Sequence, residues 1–324
     1  MHESILPSVA PTVKTSKHPD VYADLTDLVR IQYKARGYTF LPRQPVHSVL
    51  AGRHASRLRG RGLNFEEIRR YLPGDDIRNM DWHVTARTCK PHVRVYTEER
   101  DHPVLLLIDQ RQNMFFGSRR AMKSVVAAEA AALAAWRVFF QGDRVGAIVF
   151  NDHDIIEIKP HRSRNQVVRI LETVTRLNHQ LSAESLAAPN PAMYNEALHR
   201  AVRLASHDYL IMSISDGFGI DNNTFRLGTQ VAAKNDVIVM FIYDVLEAAL
   251  PNAGRLVFGQ AGYQLEVDSS DATLRQKFNA RFQDRFNSIE SFCRQRSVPR
   301  IAINTEEDVA EQVRARLGYI PRRK

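Results

Sequence analysis

Three carboxylates in this chain each close a mostly apolar run, unbroken at residues 104–108. Asp109 follows the run at residues 104–108, Asp216 ends YLIMSISD, and Asp244 ends VIVMFIYD. A strand buried on both faces has no reason to alternate, so such runs suit the interior of a parallel sheet. Three strands ending in acids would gather those acids at the carboxyl edge, where open α/β sheets place their ligands. Oxygen groups gathered there can hold a hard divalent cation, share a proton as an acid–base pair, or form a two-metal hydrolytic centre. The sequence offers little else for catalysis: no nucleophile elbow, no phosphate-cradling glycine loop and no HExxH helix.

The elements that must position these acids follow from periodicity. After Asp109 the chain passes polar residues 110–113 and is expected to enter an Ala-rich helix over 119–140. Ser118 is its expected N-cap and Gly142 its stop, and Lys123, Glu129 and Arg137 interrupt its apolar surface. Residues 145–150 read as a buried strand, with 152–159 as its antiparallel partner at the sheet edge. Helices are expected over 165–177, 194–205, 222–233, 271–296 and 308–317, and strands over 208–215, 236–243 and 300–304. Residues 256–267 read as a hairpin turning at Ala261 and Gly262. Ahead of all this, residues 24–37 suit a short helix capped by Asp24 and stopped near Gly37, followed by an extended connection over 38–53. The alternation predicts a doubly wound, mostly parallel α/β sheet. The expected domains are a leader with a short helix (1–44), a small β-rich subdomain (45–102) and the α/β domain (103–320).

Composition narrows the setting. The chain has 324 residues, of which 44% are hydrophobic and 25% charged, as in ordinary globular proteins. Two cysteines make neither a disulfide framework nor a zinc quartet. No apolar stretch reaches the ~18 residues of a membrane span, and the start lacks a signal-peptide pattern, so a cytoplasmic protein is expected. The formal charge of +9 and pI near 9.7 raise the question of nucleic acid. Acids are interleaved with the arginines and no nucleic-acid module is recognisable, so a solvated basic surface or an anionic protein partner is expected instead. Non-specific nucleic-acid binding is the rival.

Residues 62–82 read GLNFEEIRRYLPGDDIRNMDW, followed by Ala86 and Arg87. Physically, residues 73–76 make a turn, and Arg69, Arg70, Arg78 and Arg87 can pair with Glu66, Glu67, Asp75, Asp76 and Asp81. Trp82 is expected to seal the segment onto the core, and residues 93–96 to feed a strand into the central sheet. This run resembles the signature of the bacterial family catalogued as domain of unknown function 58. The likeness continues through GDRVGAIVF (142–150), SISDGF (213–218) and YDVLEAALPNAG (243–254).

The resemblance implies a von Willebrand factor A-like core after the signature, no enzymatic activity, and a protein partner, an AAA ATPase of the MoxR type. Such cores often carry a metal-ion-dependent adhesion site with the pattern Asp-x-Ser-x-Ser, a later Thr and a later Asp. Asp109 matches the first Asp and Asp216 the last, but Arg111 and Asn113 stand at the Ser positions and Ala192 near the Thr position. The pattern is therefore read as degenerate. Arg111, a permanent cation, is expected to neutralise Asp109 and Asp216, and no metal or cofactor is expected. An ion, if bound, would fall to Asp109, Asn113 and Asp216. Phe115, Phe116 and Phe218, just beyond the strand ends, are the expected partner contacts. A metal-dependent hydrolase or nuclease using Asp109, Asp216 and Asp244 is the competing reading.

Overall fold

The computed structural model describes residues 20–36, 63–98, 103–185, 188–260 and 263–317. The leader up to residue 19, Gly37, the 38–53 connection and the Ala261–Gly262 turn lie outside the described residues. The chain divides into two compact units, Leu41–His102 and the remainder, Met1–Phe40 with Pro103–Lys324.

The larger unit is built on a six-stranded sheet. Its strands are β3 (Val104–Asp109), β4 (Val145–Phe150), β5 (Ile155–His161), β6 (Leu210–Ser215), β7 (Asp236–Tyr243) and β10 (Arg300–Asn304). They lie in the order β10-β7-β6-β3-β4-β5, and all pairings are parallel except β4 with β5. Counted within the sheet, this is the doubly wound order 3-2-1-4-5-6. Strand order reverses between β3 and β6, which puts the ends of those two strands, Asp109 and Asp216, beside the switch point.

The strands split their side chains by period two. Val104, Leu106 and Ile108 face one layer, with α3 (Lys123–Gln141), α4 (Arg164–Asn178) and α9 (Val309–Leu317). Leu105 and Leu107 face the other, with α5 (Ala192–Leu204) and α6 (Asn222–Ala232). Farther along that second layer, Phe241 of β7 packs on Phe282, Ile289 and Cys293 of α8 (Ala272–Gln295). Burial on both faces is why β3, β4 and β6 are apolar apart from Asp109, Ser213 and Ser215. The short first helix, α1 (Leu25–Arg30), is capped by Asp24 and built into the same core, with Leu28 buried and its carbonyl accepting from Trp136 Nε1 at 3.2 Å.

Helix α3 begins at Lys123, not at 119, and Ser118 is not its cap. The Ser118 amide instead donates to Asp244 Oδ2 at 2.9 Å, and the Met122 amide donates to the carbonyl of Asp20. These bonds draw residues 110–122 across the sheet edge and delay the helix until Lys123.

The smaller unit holds β1 (Leu63–Arg70), α2 (Trp82–Thr88) and β2 (His92–Glu98). Strands β1 and β2 form their own antiparallel ribbon, so residues 93–96 do not extend the central sheet. Arg69 grips Asp75 through two bonds of 2.8 Å. Asp81 caps α2 and accepts from Arg94 Nε at 2.7 Å, a pair not anticipated from the sequence. Trp82, expected to be a seal, is 67% exposed at the start of α2.

Also in the larger unit, outside the six-stranded sheet, α7 (Val245–Ala248) is a single turn after β7, and β8 (Arg255–Gln260) pairs with β9 (Tyr263–Asp268) as a separate hairpin.

Candidate functional site

Asp109 and Arg111 form a closed unit at the end of β3. The Arg111 amide and Nε donate to Asp109 Oδ1, each at 3.0 Å, and Nη2 donates to Oδ2 at 2.7 Å. Ser215 Oγ, at the end of β6, adds a fourth bond to Oδ2 at 2.7 Å. Both side chains of the pair are 0% exposed. Nη2 also donates to the Phe218 carbonyl at 3.2 Å, and the Phe150 and Tyr194 rings flank the guanidinium at 5.7 and 5.6 Å. The remaining nitrogen, Nη1, is buried without a hydrogen-bond partner among the described residues. Burial alone favours the neutral guanidine, but the Asp109 charge and its hydrogen bonds outweigh it and raise the Arg111 pKa.

Asp216 has a different cation. Lys123 Nζ lies 2.7 Å from Asp216 Oδ2 and 2.8 Å from Glu247 Oε1. Asp216 Oδ1 accepts from Asn113 Nδ2 and from the Phe218 amide, both at 2.9 Å. Arg285 of α8 stands 3.6 Å from Glu247 and completes the network. Burial pushes the Asp216 carboxyl up, but Lys123, then Arg285, hold it down at about 2. Burial likewise opposes the Lys123 charge, and Asp216 and Glu247 raise its pKa regardless.

Asp244 serves as a fastener. Its Oδ2 accepts from the Ser118 amide at 2.9 Å and from Thr305 Oγ1 at 2.6 Å, and its Oδ1 from the Leu246 amide at 2.9 Å. Burial raises its pKa, and the Thr305 and Ser118 hydrogen bonds more than reverse that. Asp152 has a similar role, accepting the Gln112 and Asn190 amides at 2.6 Å each and tying the loop after β3 to the one before α5.

The edge thus brings Asp109, Arg111, Asn113 and Asp216 together, with Asp244 joined through Ser118 and Glu247. Contrary to the expectation from the sequence, Arg111 does not hydrogen-bond both acids. It folds back on Asp109, two residues away, and leaves Asp216 to Lys123. Ala192, at the Thr position, starts α5, and its amide donates to Asn190 Oδ1 at 3.2 Å. Phe115, Phe116 and Phe218 are half-buried, not exposed. Phe115 meets the Tyr22 ring at 5.5 Å, and Phe116 faces Lys123 Nζ at 5.8 Å. Lys123 and Asp152 were not singled out from the sequence. The available signal for Lys123 was a charge in the first turn of a helix otherwise fit for the core.

A divalent ion does not suit this donor set. Every oxygen of Asp109 and Asp216 already accepts a hydrogen bond, and a buried monovalent cation touches each acid. An entering ion would have to displace a guanidinium and an ammonium and would be repelled by both. Among the described residues, no three His, Cys, Asp or Glu side chains are grouped to hold a metal.

The family model described as "Protein of unknown function DUF58" matches residues 67–287, more than half of the chain. The chain belongs to this family. Uncharacterized proteins of Mycobacterium tuberculosis (Rv1480) and Mycobacterium bovis (Mb1516) are each 29% identical over 268 residues, 82% of this chain and 82% of theirs. Two solved structures are similar at 14% identity. One, the conserved hypothetical protein BatB from Bacteroides thetaiotaomicron, overlaps 66% of this chain and 95% of its own at a TM-score of 0.39. The other, von Willebrand factor type A from Catenulispora acidiphila, overlaps 46% of this chain and 35% of its own at a TM-score of 0.33. In this DUF58 chain the strand order, the antiparallel edge strand and the two helical layers make a doubly wound, mostly parallel α/β fold. No described helix is long and apolar enough to cross a membrane.

Proposed function

We propose that this DUF58 chain is a non-enzymatic protein-interaction module of the cytoplasm, an adaptor for an AAA ATPase of the MoxR type. Its carboxyl edge is a metal-ion-dependent adhesion site that has exchanged its ion for two side-chain cations. The observation that carries this reading is the pair of buried contacts, Arg111 with Asp109 and Lys123 with Asp216, at 2.7 Å each. A hydrolytic carboxylate must face a substrate, a water or a metal, and these face cations inside the fold. What the edge offers a partner is its rim, with Phe115, Phe116 and Phe218 half-buried around a fixed floor. The ATPase comes from the family resemblance, not from a contact in this fold.

The test uses the purified chain and the MoxR-type ATPase of the same host, with binding measured at constant Mg²⁺ in ATP and in ADP. Binding should change with the nucleotide and weaken at least tenfold in Phe116→Ala/Phe218→Ala, with thermal stability of the variant retained. Phosphodiester hydrolysis by the purified chain in excess Mn²⁺, abolished in Asp216→Ala, would overturn the non-enzymatic reading. Absence of binding in both nucleotides would overturn the partner.

A further inference from the structure

Behind the edge, a cavity of about 70 Å³ lies between the sheet and helices α5, α6 and α8. Leu107, Ile211 and Val239 line it from the strands, and Leu198, Val231 and Phe292 from the helices. The helix spacing here depends on Gly228 in α6, where a Cβ would fall 2.9 Å from Phe292 Cζ. That contact lets Phe292 lie against Phe225 at 5.5 Å, and the two rings wall the space.

The hydroxyls that border the cavity are already engaged. Tyr194 bonds Ser213 at 2.8 Å, Ser215 donates to Asp109 at 2.7 Å, and Thr224 donates to Asn195 at 2.7 Å. A polar guest would find few free partners, and a water needs two to four. The space is partly open to solvent and roughly half the volume of the ~150 Å³ apolar void that takes up benzene or xenon. Its chemistry therefore selects a small, uncharged hydrocarbon.

The same wall touches the functional edge. Gly217 has φ +66, and a Cβ on it would lie 2.6 Å from Ile289 Cδ1 of α8. Gly217 sits between Asp216 and Phe218, and the Phe218 carbonyl holds Arg111 Nη2. Helix α8 also carries Arg285, which reaches Glu247 in the Lys123 network.

We propose that this cavity is a binding site for a small uncharged hydrocarbon group, and that its occupancy is coupled through Ile289 and Gly217 to the Arg111 and Lys123 contacts. The proposal does not depend on the adaptor role. Its test is methyl-resolved NMR of the full chain under xenon pressure and with 2-methylpropane, with 2-propanol as the polar control. The Ile211, Val231, Val239 and Ile289 methyls should shift saturably with both apolar probes and not with 2-propanol. Val231→Leu/Val239→Leu, which fills the space, should weaken the effect at least tenfold, and Leu198→Ala, which enlarges it, should admit benzene. The Phe218 amide and Arg111 Nε signals should move in step with occupancy. Wild-type methyls that do not saturate, or that respond equally in the filled variant, overturn the site. Saturation with unmoved Phe218 and Arg111 signals overturns the coupling. Neither readout requires a protein partner, so failure here leaves the adaptor reading to its own test.

Discussion

Lys123 and Asp216, 93 residues apart in sequence, meet at 2.7 Å with 2% and 1% of their side chains exposed. One starts the central helix of the first layer, and the other follows the strand next to the switch point. Their contact, shared with Glu247, ties α3, β6 and the turn after β7 into one edge. Two charges this deep are tolerated because each is paired and further hydrogen-bonded.

Removing the cation alone should therefore be severe. Lys123→Met keeps length and apolar contact but leaves Asp216 and Glu247 facing each other. It should lose about 3–5 kcal/mol, the usual cost of stripping one partner from a buried pair. Urea unfolding of wild type and variant at neutral pH measures this. A loss near zero would show that the pair is solvated in solution.

Acid should act through the same contact, with a defined sign. The Asp216 carboxyl is held at about 2 in the folded chain, below its ordinary value of 3.8. A depressed folded pKa contributes stability that is present above the ordinary value and lost as pH falls toward the folded one. Wild type should accordingly lose stability between about pH 4 and pH 2. In Lys123→Met the acid takes its proton earlier and sheds its repulsion, so the gap to wild type should narrow from pH 7 to pH 3. Unfolding curves across that range decide it, and a gap that widens counts against the pairing.

Much of the scaffold was legible before the structure, because β3, β6, β7 and β10 are written in local composition and the acids that close β3, β6 and β7 mark the edge. Arg111 was visible as a cation where the adhesion-site pattern has a serine. Lys123 was not, since its partners lie 93 and 124 residues away and nothing local announces them. The same limit hid Asp152, whose two amide contacts come from other loops. It also misplaced the start of α3, where Ser118 answers to Asp244 and not to its own helix. The β2 strand was misassigned because alternation gives a strand but not its partner.

Asp244 should prove a fastener of the rim. Asp244→Ala removes the acceptor of the Ser118 and Leu246 amides and of the Thr305 hydroxyl. Unmade buried bonds of this kind cost about 1–3 kcal/mol each, less where water can enter. Hydrogen exchange should accelerate at Ser118 and through residues 110–118 well before the sheet amides respond. Uniform acceleration over the whole sheet would instead mark Asp244 as a determinant of global stability alone.

Conversion of the edge to a metal site should require both cations to leave. Arg111→Ala strips Asp109 of its guanidinium and should lose about 3–5 kcal/mol, as for the other buried pair. Arg111→Ser/Asn113→Ser/Ala192→Thr introduces the oxygen ligands of the adhesion-site pattern, yet Lys123 still lies on Asp216 Oδ2. An ammonium at 2.7 Å occupies the oxygen a divalent ion needs and repels the ion itself. The triple variant should therefore show no thermal shift between EDTA and millimolar Mg²⁺. Adding Lys123→Ala frees Asp216, leaves Asp109 and Asp216 without cations, and should produce a Mg²⁺-dependent rise in Tm. Wild type should ignore the ion throughout, because its two positive charges are part of the fold. Mg²⁺ stabilisation of wild type, or equal rescue of the triple and quadruple variants, would show that Lys123 does not guard this edge.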